Sequence, residues 1–208
     1  FPGRTDPAPD TASDPASDLT SDTAPDPATP YSLRWWGLAV LCCAIAILAI
    51  DTTVLNFAIP AITMDLYPSA TQMLWVVDVY AFVVAALLVT MGTVGDRIGR
   101  RRLLLWGAFF FGVASVAAAF SHTPEMLIAA RALQGAAGAT LMPSTLSLIR
   151  AMFNNAAERA RAVSLWVAVY SVGAAVGPLL GGLLIGMLGW EWIFFINVPI
   201  GVAGYIAA

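Results

Sequence analysis

The chain has 208 residues, of which 59% are hydrophobic and 11% charged, with a formal net charge of −3 and a mean hydropathy of +0.79. That apolar excess excludes a water-soluble domain of ordinary composition, and with it a soluble enzyme or a nucleic-acid-binding module. The negative balance is local: Asp6, Asp10, Asp14, Asp18, Asp22 and Asp26 all lie in the first thirty residues, and from residue 31 onward nine arginines face seven acids.

Residues 1–30 alternate Asp, Pro, Ala, Ser and Thr and include seven prolines. Too few apolar groups are present to offset the entropy of ordering, and Pro7, Pro9, Pro15, Pro25 and Pro27 break any helix that the Asp spacing of four would suggest. The segment reads as a disordered tail. It has no basic region leading into an apolar run, so it does not resemble a signal peptide.

From Trp35 the pattern changes to long apolar runs joined by short polar links, each run close to the ~20 residues that cross ~30 Å of hydrocarbon as a helix. The predicted spans are 35–59, 73–94, 103–121, 125–149 and 162–188, with a sixth, 193–208, incomplete. Together, residues 31–208 form an all-α polytopic membrane domain, with Asn56 and then Pro60 closing span 1. Cys42 and Cys43, adjacent in one helix, are expected to be inert. His122 reads as a solvated loop residue. The chain begins with Phe and stops in an apolar run, so it reads as a piece of a longer protein.

The arginines set the orientation. Arg97, Arg100, Arg101 and Arg102 fall in one link and Arg150, Arg159 and Arg161 in another, while the alternate links 60–72, 122–124 and 189–192 hold no Lys or Arg. The positive-inside rule therefore places the Arg-rich links and the N-terminus in the cytoplasm. Trp35, Trp36, Trp75, Trp190 and Trp192 fall near predicted helix ends, as interfacial anchors do.

Three ionisable residues lie inside spans, where each costs roughly 2.5–3.5 kcal/mol on insertion scales: Asp51, Asp78 and Arg131. Counted at ~1.5 Å per residue, they sit about 13, 8 and 9 Å below the outer surface. Arg131 is within reach of Asp51 or of Asp78 in a buried charge cluster beside a cavity; the alternative for Asp78 is a position that reaches outer water. In span 5, Gly173, Gly177, Pro178, Gly181, Gly182 and Gly186 put small residues at i, i+4 and i+8, a face on which another helix can approach closely, with Pro178 bending the helix. Span 4 carries Gly135, Gly138 and Pro143. The link from Gly92 to Leu104 combines Gly95 and Gly99, which permit a tight turn, with Asp96 placed to sit near a helix N-terminus and a run of arginines.

These strings resemble the major facilitator superfamily. Gly92 to Leu104 is similar to its signature between spans 2 and 3, Arg131-Ala132-Leu133-Gln134-Gly135 to its span 4 motif, and Gly173 to Gly182 to the span 5 motif of its drug/proton antiporters. Asp51 to Pro60 is similar to the span 1 motif of the branch with fourteen spans. Leu74 to Tyr80 and Leu141 to Arg150 resemble the quaternary-ammonium and dye exporters of the QacA and LfrA type. The resemblance covers residues 31–208.

It implies alternating access between two six-helix bundles in a bacterial inner membrane, with small-molecule drugs and protons as partners. Proton coupling would fall to Asp51 and Arg131, and substrate contact to Asp78 and Asn56. A cytoplasmic latch would be formed by Gly92, Asp96, Arg97, Gly99, Arg100 and Arg101, and a sealing seam by Gly173, Gly177, Pro178, Gly181 and Gly182. A proton-coupled importer and an exporter of neutral or zwitterionic antibiotics or metabolites are the alternatives. No nucleotide-binding loop or metal cluster is legible, so no cofactor, enzymatic activity or obligate protein partner is expected.

Overall fold

The computed structural model describes residues 31–198; the predicted tail and most of the sixth span lie outside them. The elements are α1 (Tyr31–Leu66), α2 (Ala70–Ile98), α3 (Arg100–Ala119), α4 (Pro124–Met152), α5 (Ala156–Met187) and the short α6 (Trp192–Phe195). Helix is the conformation that pairs every backbone group within its own segment, as hydrocarbon demands. No strand occurs among the described residues.

The links are cut by local chemistry. At the start of α2 the Ser69 hydroxyl accepts from Gln72 N–H while the Gln72 side chain accepts from Ser69 N–H at 2.8 Å, a reciprocal capping box. Thr123 caps α4 ahead of Pro124, and the Asn155 side chain accepts from the Ala157 and Glu158 amides at the start of α5. Between α2 and α3 the break is Gly99 alone, at φ +98°, a conformation open mainly to glycine. The expected tight link is thus shorter than predicted. Gly95 lies inside α2, packed against Arg100 and Leu103, and Asp96 lies in the last turn of α2 instead of at a helix N-terminus.

Two further expectations are corrected. Pro60 does not close span 1, because α1 continues to Leu66 with Pro60 inside it. A proline removes one hydrogen bond and need not end a helix; the carbonyl left without its intrahelical donor is that of Asn56, one turn earlier. Trp190 is not a lipid-facing anchor. It is buried and donates from Nε1 to Asp65 Oδ2 at 2.9 Å, tying the turn before α6 to the end of α1, whereas Trp36, Trp75 and Trp192 are exposed.

Four helices, Leu33–Leu66, Ala70–Ile98, Arg100–Ala119 and Ala156–Met187, are long and apolar enough to cross a membrane. The fifth expected span, α4, has the length, at 29 residues. Its apolar run is interrupted by Arg131, Gln134, Thr140, Ser144 and Thr145, all of them buried. It packs against α2 and α3 and touches α1, so most of its neighbours are protein and its polar groups are sheltered from lipid. The other main interface joins α1 to α5. Apolar packing gathers into one cluster around Ile45, Leu48, Phe111 and Leu141 and another around Val54, Val76, Leu127 and Phe194. Asp51 falls between the two along α1. Cys42 is buried and Cys43 exposed, both as free thiols.

Candidate functional site: a buried ion pair beside a cavity

Asp51 of α1 and Arg131 of α4 are each 1% exposed. The Arg131 Nη1 donates to Asp51 Oδ2 at 2.7 Å, so of the two partners open to Arg131 it takes Asp51. Helical spacing supplies the next member: Gln134, three residues on, lies on the same face, and its Oε1 accepts from Arg131 Nη1 at 3.1 Å. The Gln134 amide donates to Ser115 Oγ of α3 at 2.7 Å and more weakly to Asp51 Oδ1 at 3.5 Å. From beyond α6, Asn197 Nδ2 donates to Asp51 Oδ1 at 2.8 Å and lies 3.4 Å from Ser115 Oγ. Ser115 in turn donates to the Phe111 carbonyl at 2.8 Å.

Below the guanidinium lies an aromatic face, the Tyr80 ring of α2, with its centroid 4.5 Å from Arg131 Cζ. A buried charge left alone costs several kcal/mol, and here each charge meets its opposite plus neutral hydrogen-bonding groups. Sequence reasoning misses Tyr80, Ser115, Gln134 and Asn197 as site residues. Of these, Gln134 carries a signal, its place one turn after a buried arginine.

A cavity of about 480 Å³ adjoins the pair. Its walls are largely apolar, and its polar lining includes Thr52, Asn56, Asp78, Tyr80, Arg131 and Tyr170. Asp78 is half-buried and stands in the cavity wall outside the charge cluster. Asn56 lines the same space. The structure therefore brings Asp51 and Arg131 together and leaves Asp78 as the cavity's separate carboxylate.

The span 5 glycines divide by phase. A β-carbon on Gly173 would meet Ala49 Cβ at 3.0 Å and the Ala46 carbonyl at 3.2 Å; one on Gly181 would meet Val54 Cγ2 at 2.9 Å. Gly173, Gly177 and Gly181 thus form the contact with α1. Gly182 does not, since a β-carbon there would meet nothing within 4 Å among the described residues. One residue advances a helix by about 100°, which turns Gly182 out of a face set by Gly181, and Pro178 likewise from Gly177.

At the opposite end from Pro124, the Asp96 carboxylate is held by Arg100 Nη2, and Arg100 Nη1 reaches the Pro143 carbonyl of α4 at 3.4 Å. Arg97 and Arg101 are exposed, and a β-carbon on Gly92 would meet nothing within 4 Å among the described residues. Of the expected latch residues, the geometry joins Asp96 and Arg100 to α4 through the Gly99 break.

A bundle of apolar, membrane-length helices around a buried ion pair, with a cavity against it, defines a polytopic membrane protein of the transporter class. The chain belongs to the Major Facilitator Superfamily, whose family model matches residues 41–208. It is 52% identical over 166 residues to the multidrug efflux pump LfrA of Mycolicibacterium smegmatis, covering 80% of this chain and 33% of the relative. It is 46% identical over 167 residues to the methyl viologen resistance protein SmvA of Salmonella typhimurium, covering 80% and 34%. The puromycin resistance protein pur8 of Streptomyces alboniger is 40% identical over 178 residues, covering 86% and 34%. The chain spans about a third of the length of these relatives.

Proposed function

We propose that this chain is the N-terminal helix bundle of a proton-coupled antiporter that exports lipophilic, cationic drugs, dyes or antibiotics across the bacterial inner membrane by alternating access, with its N-terminus and Arg-rich links in the cytoplasm. The relatives named for multidrug efflux and for methyl viologen resistance support export. The observation that carries the coupling is the Asp51–Arg131 pair, buried yet in contact, through Arg131, with the cavity that Asp78 lines.

With Asp51 ionised, its charge and that of Arg131 cancel, and a cationic drug in the apolar cavity meets Asp78 as the uncompensated charge. A proton reaching Asp51 from outside removes that cancellation. The guanidinium is left positive against the cavity, and a cation roughly 8 Å away loses on the order of 2 kcal/mol at an effective dielectric of about 20, some thirtyfold in affinity. Drug leaves outward, and loss of the proton to the cytoplasm restores the pair. Drug and proton thus compete through one ion pair, and no covalent step or cofactor is involved.

The test is drug-induced proton release from the full-length protein, purified and reconstituted. Wild type should release protons when ethidium binds, and Asp51→Asn should not. Asp51→Glu should keep a partial efflux rate with an altered pH dependence. Undiminished release in Asp51→Asn would overturn the assignment.

A further inference from the structure

We infer that Asn197 is a positioning residue for Asp51: its carboxamide holds the ionised carboxylate and, turned over, holds the protonated acid, so the helical turn after α6 reads the protonation state of Asp51. The inference rests on the proposal that Asp51 carries the coupling proton.

Three observations support it. Asn197 is 1% exposed and its Nδ2 makes the shortest amide contact to Asp51, 2.8 Å to Oδ1. Its own Oδ1 is buried with no hydrogen-bond partner among the described residues. The other amide near that carboxylate oxygen, Gln134, stands at 3.5 Å and is committed to Ser115 and Arg131. Every group around the carboxylate in this arrangement donates to it, so a protonated Asp51 would have an O–H with nothing to receive it. Burying such a donor unsatisfied is costly.

A carboxamide has near-identical shape when rotated end for end, with a donor exchanged for an acceptor. When a proton from water bonds to Asp51 Oδ1, that rotation brings Asn197 Oδ1 to the new O–H. The rotation gives up the 2.8 Å bond, for which the acid no longer offers a charge, and the long 3.4 Å approach to Ser115, whose own hydrogen stays on the Phe111 carbonyl. It exchanges one unpartnered atom, Oδ1, for another, Nδ2. Each orientation leaves one amide atom unpartnered, so the proton decides between them, and the charge-assisted bond to the ionised carboxylate is the stronger of the two.

The charged and titratable groups facing Asp51 are Arg131 from α4 and Tyr80 from α2; Tyr170 of α5 and Asp78 of α2 line the adjoining cavity. Among the described residues, α3 and the turn after α6 bring only the uncharged Ser115 and Asn197. Asn197 is thus the neutral group positioned to answer a proton on Asp51 Oδ1.

The experiment uses the full-length protein in lipid. In Asn197→Ala both forms lose their bond to the carboxamide and the ionised form loses the stronger one, so the pH midpoint of ethidium-induced proton release should rise, by roughly half a unit to one unit. Asn197→Asp, nearly isosteric, puts a second acid beside Asp51 and should raise it further. Midpoints equal to wild type in both, at whatever rate, would leave Asn197 a packing residue and overturn the inference. Infrared spectroscopy supplies a readout independent of transport. The protonated-carboxyl stretch identified by its loss in Asp51→Asn should move to higher frequency in Asn197→Ala, and an unmoved band would also overturn it. Should Asp51→Asn retain full proton release, the coupling proposal fails while the infrared shift still tests the contact.

Discussion

A β-carbon on Gly177 of α5 would sit 2.0 Å from the hydroxyl oxygen of Thr53 on α1 and 3.3 Å from the Ile50 carbonyl. The Thr53 hydroxyl is itself turned back onto the Ala49 and Ile50 carbonyls, so its rotamer is already committed. Gly177→Leu is expected to abolish efflux while the protein still inserts, and Gly177→Ala to lower stability by about 1–3 kcal/mol. Thr53→Ala should restore part of the loss in Gly177→Ala. Gly182→Ala, which meets nothing within 4 Å among the described residues, serves as the control for the α1 contact and should not respond to Thr53→Ala. Thermal unfolding in detergent separates the four, and a tolerated Gly177→Leu with full efflux would rule out the close approach as a requirement.

Removing one partner of the buried pair should be worse than removing both charges. Arg131→Leu leaves the Asp51 carboxylate buried beside neutral donors and is expected to cost about 3–5 kcal/mol. Asp51→Asn combined with Arg131→Leu should recover much of that stability and none of the coupling. A double mutant as unstable as Arg131→Leu alone would show that the lost packing on Tyr80, not the stranded charge, sets the cost.

Asp78 stands apart from the ion pair in the cavity wall. Asp78→Asn should therefore weaken binding of a dication such as methyl viologen more than that of ethidium, with proton release per bound drug unchanged. Binding titrations of both ligands to the reconstituted protein decide the matter; equal losses would point to a structural role for Asp78.

Orientation is open to chemical labelling in a background without Cys42 and Cys43. Ser121, the last residue of predicted span 103–121, is 3% exposed and cannot report, whereas its neighbour His122, in the predicted outer link, is exposed, as is Asn154 in the link between α4 and α5. With the Arg-rich links in the cytoplasm, His122→Cys should react with an impermeant thiol reagent added to whole cells and Asn154→Cys should not. The reverse pattern would invert the assignment.

Much of this arrangement is legible in the sequence because hydrocarbon makes certain residues conspicuous. An Asp in an apolar run, or glycines four apart beside it, stand out against a background that excludes charge and favours bulk; hence Asp51, Arg131 and the Gly173–Gly177–Gly181 face are found from spacing. Ser115, Gln134 and Asn197 carry no charge and are too common in such helices to mark themselves, although together they complete the site. The misreadings share a cause. Pro60, Gly182 and Trp190 invite a reading by residue type, while their roles depend on phase and neighbours: Pro60 sits within a helix that continues, Gly182 is a step out of register, and Trp190 has Asp65 within reach. The polar character of α4 is likewise a property of its surroundings, since a helix sheltered by others need not look like one that faces lipid.

The contact from Arg100 ends on the main chain, at the Pro143 carbonyl. An oxygen of the backbone is present whatever side chain position 143 carries, so no substitution there deletes the acceptor. What can remove it is a change in the path of α4, which would carry the oxygen out of the guanidinium's range. The connection between the Gly99 break and α4 therefore depends on the curvature of a helix and not on the chemistry of the side chain at its point of contact.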